Sequence, residues 1–178
     1  MKKKILIIFV FVFEIGFTQT KFPFFEQIAL DIYSSEIIYD FPVKKKIKVY
    51  KYLHDLHPEI YWFNTPSCLQ NIAWSNNKQF EPIKGYQKKQ FDVDSEQFEL
   101  NTSNLNKKQF KIKKKAKAGY PKLFITNPHK EKGNNNRVFV NIYEVHNELK
   151  EIIYHLEFDN KGNIIDWCRT VTEKIITR

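Results

Sequence analysis

The sequence is poor in the residues that organise small specialised folds. Its 178 residues include two cysteines, five glycines and seven prolines. Two cysteines exclude a disulfide-dense miniprotein and a structural zinc site built on thiolates. So few glycines and prolines exclude collagen-like and proline-rich chains. The glycines are scattered, so no phosphate-cradling loop forms, and neither G-x-S-x-G, H-E-x-x-H nor a Walker sequence occurs. Arginine is nearly missing: Arg137, Arg169 and Arg178 are three of 29 basic residues, the other 26 being lysine. Nucleic-acid sites lean on the planar guanidinium fork, so a nucleic-acid partner is not expected.

What is present is enough for one folded domain. Hydrophobic residues make up 42% and aromatics 16% of the chain, which is ample for a core. The first eighteen residues read as an address. Lys2, Lys3 and Lys4 precede an unbroken apolar run over 5–13, and Gly16 and Thr18 put small residues before a cleavage point at Gln19. The run is about half of the ~20 residues needed to span a bilayer, and Glu14 ends it. The expectation is a signal peptide over 1–18, a single domain over 19–178, export to the periplasm or beyond, and no membrane anchor after cleavage. The net charge of +9 falls to +7 when three lysines and one glutamate leave with the leader. The abundance of Lys, Asn and Ile resembles the style of exported proteins from AT-rich bacteria, where codon bias raises lysine without any partner being involved.

In the mature chain, residues 24–39 place Phe25, Ile28, Ala29, Ile32 and Tyr33 at spacings of three and four, the mark of an amphipathic helix. Pro23 suits its start, and Phe41-Pro42 stops it, because the residue before a proline is pushed out of the helical region. Residues 43–53 alternate, with Ile47, Val49, Lys51 and Leu53 on one side, mostly apolar, and Lys46, Lys48, Tyr50 and Tyr52 on the other. An irregular stretch over 54–83 holds Pro58, Pro66 and Pro82. Weak strands follow over 90–100 and 107–118, then stronger ones over 120–126 and 138–145, joined by the polar loop 127–136. The clearest hairpin joins 151–158 to 164–170 through Asp159-Asn160-Lys161-Gly162. Two registers fit it: one sets Phe158 against Ile164 and Leu156 against Asp166, and a slip of one sets Leu156 against Trp167.

A helix followed by an antiparallel meander is an α+β pattern. The order of elements is similar to the cystatin-like and nuclear-transport-factor-like folds, in which a curved sheet wraps a helix. The resemblance is one of layout, so it transfers no functional residue.

The chemistry-bearing residues form no complete constellation. Cys68 and Cys168 both survive leader removal. In an oxidising compartment they either pair, closing a loop of about 100 residues worth roughly 4–5 kcal/mol in the chain-entropy view, or pack as two thiols. His54-Asp55-Leu56-His57-Pro58-Glu59 carries ligand types but not a zinc spacing, so no metal and no cofactor is expected. Asp166, flanked by apolar residues, and His155, on the paired strand, are weak catalytic candidates. Glu144 and Glu157 read as outward-facing. Two lysine runs remain, and Lys44, Lys46, Lys48, Lys111, Lys113 and Lys115 are the candidates for an anionic surface site facing an acidic protein or the cell envelope. The same lysines also serve to protect sheet edges from pairing. The reading is an exported binding or interaction protein, leaning away from catalysis. The alternative is a small-ligand or hydrolase/isomerase domain using a concave pocket of the sheet.

Overall fold

The computed structural model describes residues 22–41, 44–50, 52–53, 68–69, 80–83, 86, 98–113 and 119–173. The expected leader, the His54–Glu59 cluster, most of the proline-containing stretch, Lys115 and most of the strand expected over 90–100 lie outside these residues.

The expected helix forms as three continuous pieces: α1 (Phe25–Ile32), a π turn (Tyr33–Ile37) and α2 (Ile38–Asp40). Phe41 then leaves helical geometry at φ −130°, just ahead of Pro42. Phe25, Ala29 and Tyr33 are buried as the periodicity predicts. The flank is different. Glu26 and Leu30 are also buried, whereas Ile28 and Ile32 sit at the partly covered rim. The π turn inserts one extra residue, which keeps Ser35 and Glu36 in solvent and brings Ile37 and Ile38 back onto the core.

Among the described residues ten strands follow: β1 (Ile47–Tyr50), β2 (Tyr52–Leu53), β3 (Phe80–Pro82), β4 (Phe98–Glu99), β5 (Phe110–Lys113), β6 (Lys122–Ile125), β7 (His129–Glu131), β8 (Asn134–Val145), β9 (Lys150–Asp159) and β10 (Ile164–Glu173). The main sheet runs β10-β9-β8-β6-β1-β5, with β7 also on β8 and β3 on β7; β2 and β4 form a separate pair. The fold is α+β, with a large, mostly antiparallel sheet that does not close. One part of the expected meander is corrected. β1 pairs in parallel with both β5 and β6. Alternation reports which side of a strand is buried but carries no information on direction. The chain between β1 and β5 is long enough for the crossover that parallel pairing requires.

The polar stretch over 127–136 is not an open loop. It supplies β7 and the first residues of β8, with Gly133 at φ +84° in the tight turn between them. In the last hairpin both registers occur. Ile164 faces Phe158, a bulge passes Ile165, and from there Asp166 faces Glu157 and Trp167 faces Leu156. The bulge lets Ile165 stand half exposed while Leu156 is fully buried. Cys68 and Cys168 have sulfurs at bonding distance and Cα atoms 5.9 Å apart, tying a point 100 residues upstream to β10.

The helix covers one side of the sheet. Phe25, Leu30, Tyr33 and Ile37 pack there with Ile47, Val49, Leu123, Val140, Ile142, Tyr154 and Leu156. The opposite side carries a smaller cluster of Tyr50, Phe124, Tyr143 and Ile153. No described helix is long and apolar enough to cross a membrane.

Candidate functional site

The two lysine-rich strands lie side by side. Ile47 and Val49 turn to the helix, so Lys48 and Tyr50 turn away from it. Phe110 of β5 and Leu123 of β6 also face the helix, which sends Lys111, Lys113 and Lys122 to the same outer side. In register, Lys48 stands opposite Lys111 on one side and opposite Lys122 on the other. Three ammonium-bearing residues therefore form one row across three parallel strands, each step about 4.8 Å. Lys113 stands opposite Tyr50. Lys44 and Lys46 are exposed just ahead of β1.

Aromatic rings border the row. Tyr50 stacks on Phe124 with centroids 5.7 Å apart. The Lys122 ammonium lies 4.9 Å from the Tyr120 ring and 5.4 Å from the Phe124 ring, within cation–π range. Gly119 has φ +110°, which calls for glycine, and the tip of the Lys48 side chain lies against it. Beside Lys122 the surface dips into a cleft of about 240 Å³ lined by Tyr120, Phe124, Val145 and Leu149 as well as Lys122 and Lys150.

Away from this face several basic residues are held by carboxylates. Arg137 forks onto Glu157 at 2.6 and 2.8 Å and approaches Glu131 at 3.8 Å, an arrangement that raises its pKa. Lys130 meets Glu81, and Lys150 meets Glu173. Among the described residues, no ion pair joins Lys44, Lys46, Lys111 or Lys113 to a carboxylate.

The catalytic candidates are placed differently. His155 is 2% exposed, and both ring nitrogens are occupied: Nδ1 lies 2.9 Å from Asn141 Oδ1 and Nε2 lies 3.1 Å from Thr170 Oγ1. The amide oxygen can only accept, so Nδ1 carries the proton and Nε2 accepts from the threonine hydroxyl. Burial pushes the His155 pKa down to about 4. Across the hairpin, its neighbour is Cys168. Asp166 stands opposite Glu157, and its Oδ1 accepts from the Trp167 amide at 2.8 Å. No hydrogen bond links Asp166 with His155.

The outward reading of Glu144 and Glu157 is corrected, since they are 1% and 3% exposed. Glu144 points to the helix side. Its Oε2 accepts from Tyr33 at 2.7 Å and from Tyr154 at 3.2 Å, and His146 Nε2 lies 2.6 Å from Oε1. Burial, followed by the nearby carboxyl, raises both tyrosine pKa values, so the phenols remain donors. The signal for this burial was available: residues 138–145 are apolar except for Asn141 and Glu144, the pattern of a strand covered on both faces. Glu26 had no such signal, because its partner Tyr86 is 60 residues away. Both carboxyls sit within packed core, where they fix side chains rather than face an open cavity.

The chain matches no family model, no curated protein and no solved structure.

Proposed function

We propose that the chain is an exported, non-catalytic binding protein whose partner is an acidic protein, met by the outer face of β5, β1 and β6. The observation that carries this reading is the single row Lys111, Lys48 and Lys122 across three adjacent strands. Like charges placed directly opposite are destabilising, so solubility alone does not account for concentrating them in one row. Edge protection accounts for Lys111 and Lys113 on the outermost strand, but not for Lys48 and Lys122 on interior strands. Export is supported by the leader-like residues 1–18 and by the Cys68–Cys168 pair, which fits an oxidising compartment. A cystatin-like or nuclear-transport-factor-like layout belongs to the same proposal; its support is a helix packed on one side of an open sheet. The pocket alternative has less support, because among the described residues the helix side of the sheet is filled by apolar side chains.

Titration of the purified chain with poly-glutamate and, in parallel, with vesicles rich in anionic phospholipid tests the reading. Poly-glutamate binding at low salt, lost in Lys46→Glu/Lys111→Glu, is the expected result. Vesicle binding without poly-glutamate binding would replace the acidic protein with the envelope surface, and binding to neither would overturn the proposal.

A further inference from the structure

We propose that the acidic partner is recognised as an extended segment ending in an aromatic side chain, with the ring in the Tyr120–Phe124–Leu149 cleft and the acidic residues running from there over β1 to β5. This rests on the proposed function and gives the partner's chemistry and direction. Lys122 is the residue that joins the two features. It belongs to the lysine row by strand register and to the cleft by position, its ammonium held against two rings.

The cleft's chemistry selects the anchor. Its walls include the rings of Tyr120 and Phe124 and the aliphatic side chains of Val145 and Leu149. Leu149 is 41% exposed, an apolar surface that a partner would cover. Aromatic side chains carry the largest apolar area and gain further from edge or offset contacts with other rings. At about 240 Å³ the cleft takes one such group and not a long apolar segment.

Charge sets the direction. Away from the lysine row the cleft lining includes Glu148 and Glu151, and its second lysine, Lys150, is 2.6 Å from Glu173. An acidic chain leaving the cleft on that side meets carboxylates. On the other side it meets Lys122, Lys48 and Lys111 in order. Two strand steps span roughly 10 Å, which about three extended residues cover. The anchor therefore sits at an end of the acidic segment rather than in its middle.

Three peptides of equal length test this on the unaltered chain: six glutamates, five glutamates ending in phenylalanine, and one with phenylalanine at the centre. The end-anchored peptide is expected to bind about tenfold more tightly than hexaglutamate, with the central anchor gaining less, as burial of one ring allows. Leu149→Ser, at an exposed position, is expected to remove the end-anchored gain. Equal binding of all three peptides, a larger gain for the central ring, or a gain that survives Leu149→Ser would overturn the inference and leave the acidic-partner reading standing. Failure of all three to bind would remove both.

Discussion

Lys48 lies opposite Lys111 on a parallel strand, a like-charge pair one strand spacing, about 4.8 Å, apart. Such a pair opposes folding. Lys111→Glu turns repulsion into attraction and is expected to stabilise the fold by about 0.2–1 kcal/mol, seen as a raised unfolding midpoint in urea. A lowered midpoint would mean that the lysine supports the fold.

The Tyr86 hydroxyl lies 2.8 Å from Glu26 Oε2 and 2.9 Å from the Pro23 carbonyl, while accepting from the Phe25 amide at 3.0 Å. One phenolic proton cannot serve two acceptors. A protonated Glu26 supplies the second, consistent with burial raising its pKa from 4.5 to about 7. The folded state then holds a proton that the unfolded chain releases. Stability from Glu26 is full below pH 4.5 and falls as pH rises through 7, by a total of about 3 kcal/mol. His155 acts oppositely. With its pKa lowered from 6.5 to about 4, its stability is present above pH 6.5 and is lost as pH falls through 4. His129, lowered by burial, adds in the same sense as His155. Between pH 4.5 and 6.5 the two trends offset, so wild-type stability is expected to change little. Glu26→Gln removes one of them, so its urea midpoint should climb with pH across that window. A Glu26→Gln profile as flat as wild type would contradict the protonation assignment.

The Cys68–Cys168 bridge closes a loop of 100 residues. Alkylation without reductant should add no label by intact mass, and two labels should appear after reduction. Reduction is expected to lower stability by roughly 4–5 kcal/mol on the chain-entropy argument. Two labels on the unreduced chain would show free thiols.

Tyr33 and Tyr154 both donate to Glu144, at 2.7 and 3.2 Å. Deleting one donor to a buried acceptor costs about 1–3 kcal/mol, more for the shorter bond. Tyr33→Phe should therefore destabilise more than Tyr154→Phe in matched urea titrations. The reverse order would place the weight of this network on β9 instead of the helix.

How much of this was legible in the sequence depended on whether the information was local. Spacing placed the helix around Phe25, Ala29 and Tyr33, and alternation placed Ile47 and Val49 inward, because both periods are local properties. The turn at Asp159–Gly162 was legible for the same reason, and Gly162 takes φ +89° there. The bulge at Ile165 was not, since each register satisfied half of the hairpin. The parallel pairing of β1 was invisible because a strand's direction relative to a distant partner leaves no mark on its own residues. The lysine row was half legible: the runs could be read, but their adjacency depends on that pairing. Glu144 and Glu157 misled because a carboxylate on a strand ordinarily faces water, and the tyrosine and arginine partners that hold them inside come from other elements.

The central claim is that the β5-β1-β6 face binds an acidic partner. Its most direct test is the affinity of hexaglutamate for the chain as salt is raised, measured on wild type and on Lys46→Glu/Lys111→Glu. Wild type should bind at low salt, weaken steadily as ions screen the lysines, and lose most of its affinity in the double variant, where two charge reversals place carboxylates beside Lys48. Affinity that is unchanged by salt or by the double charge reversal would contradict the account.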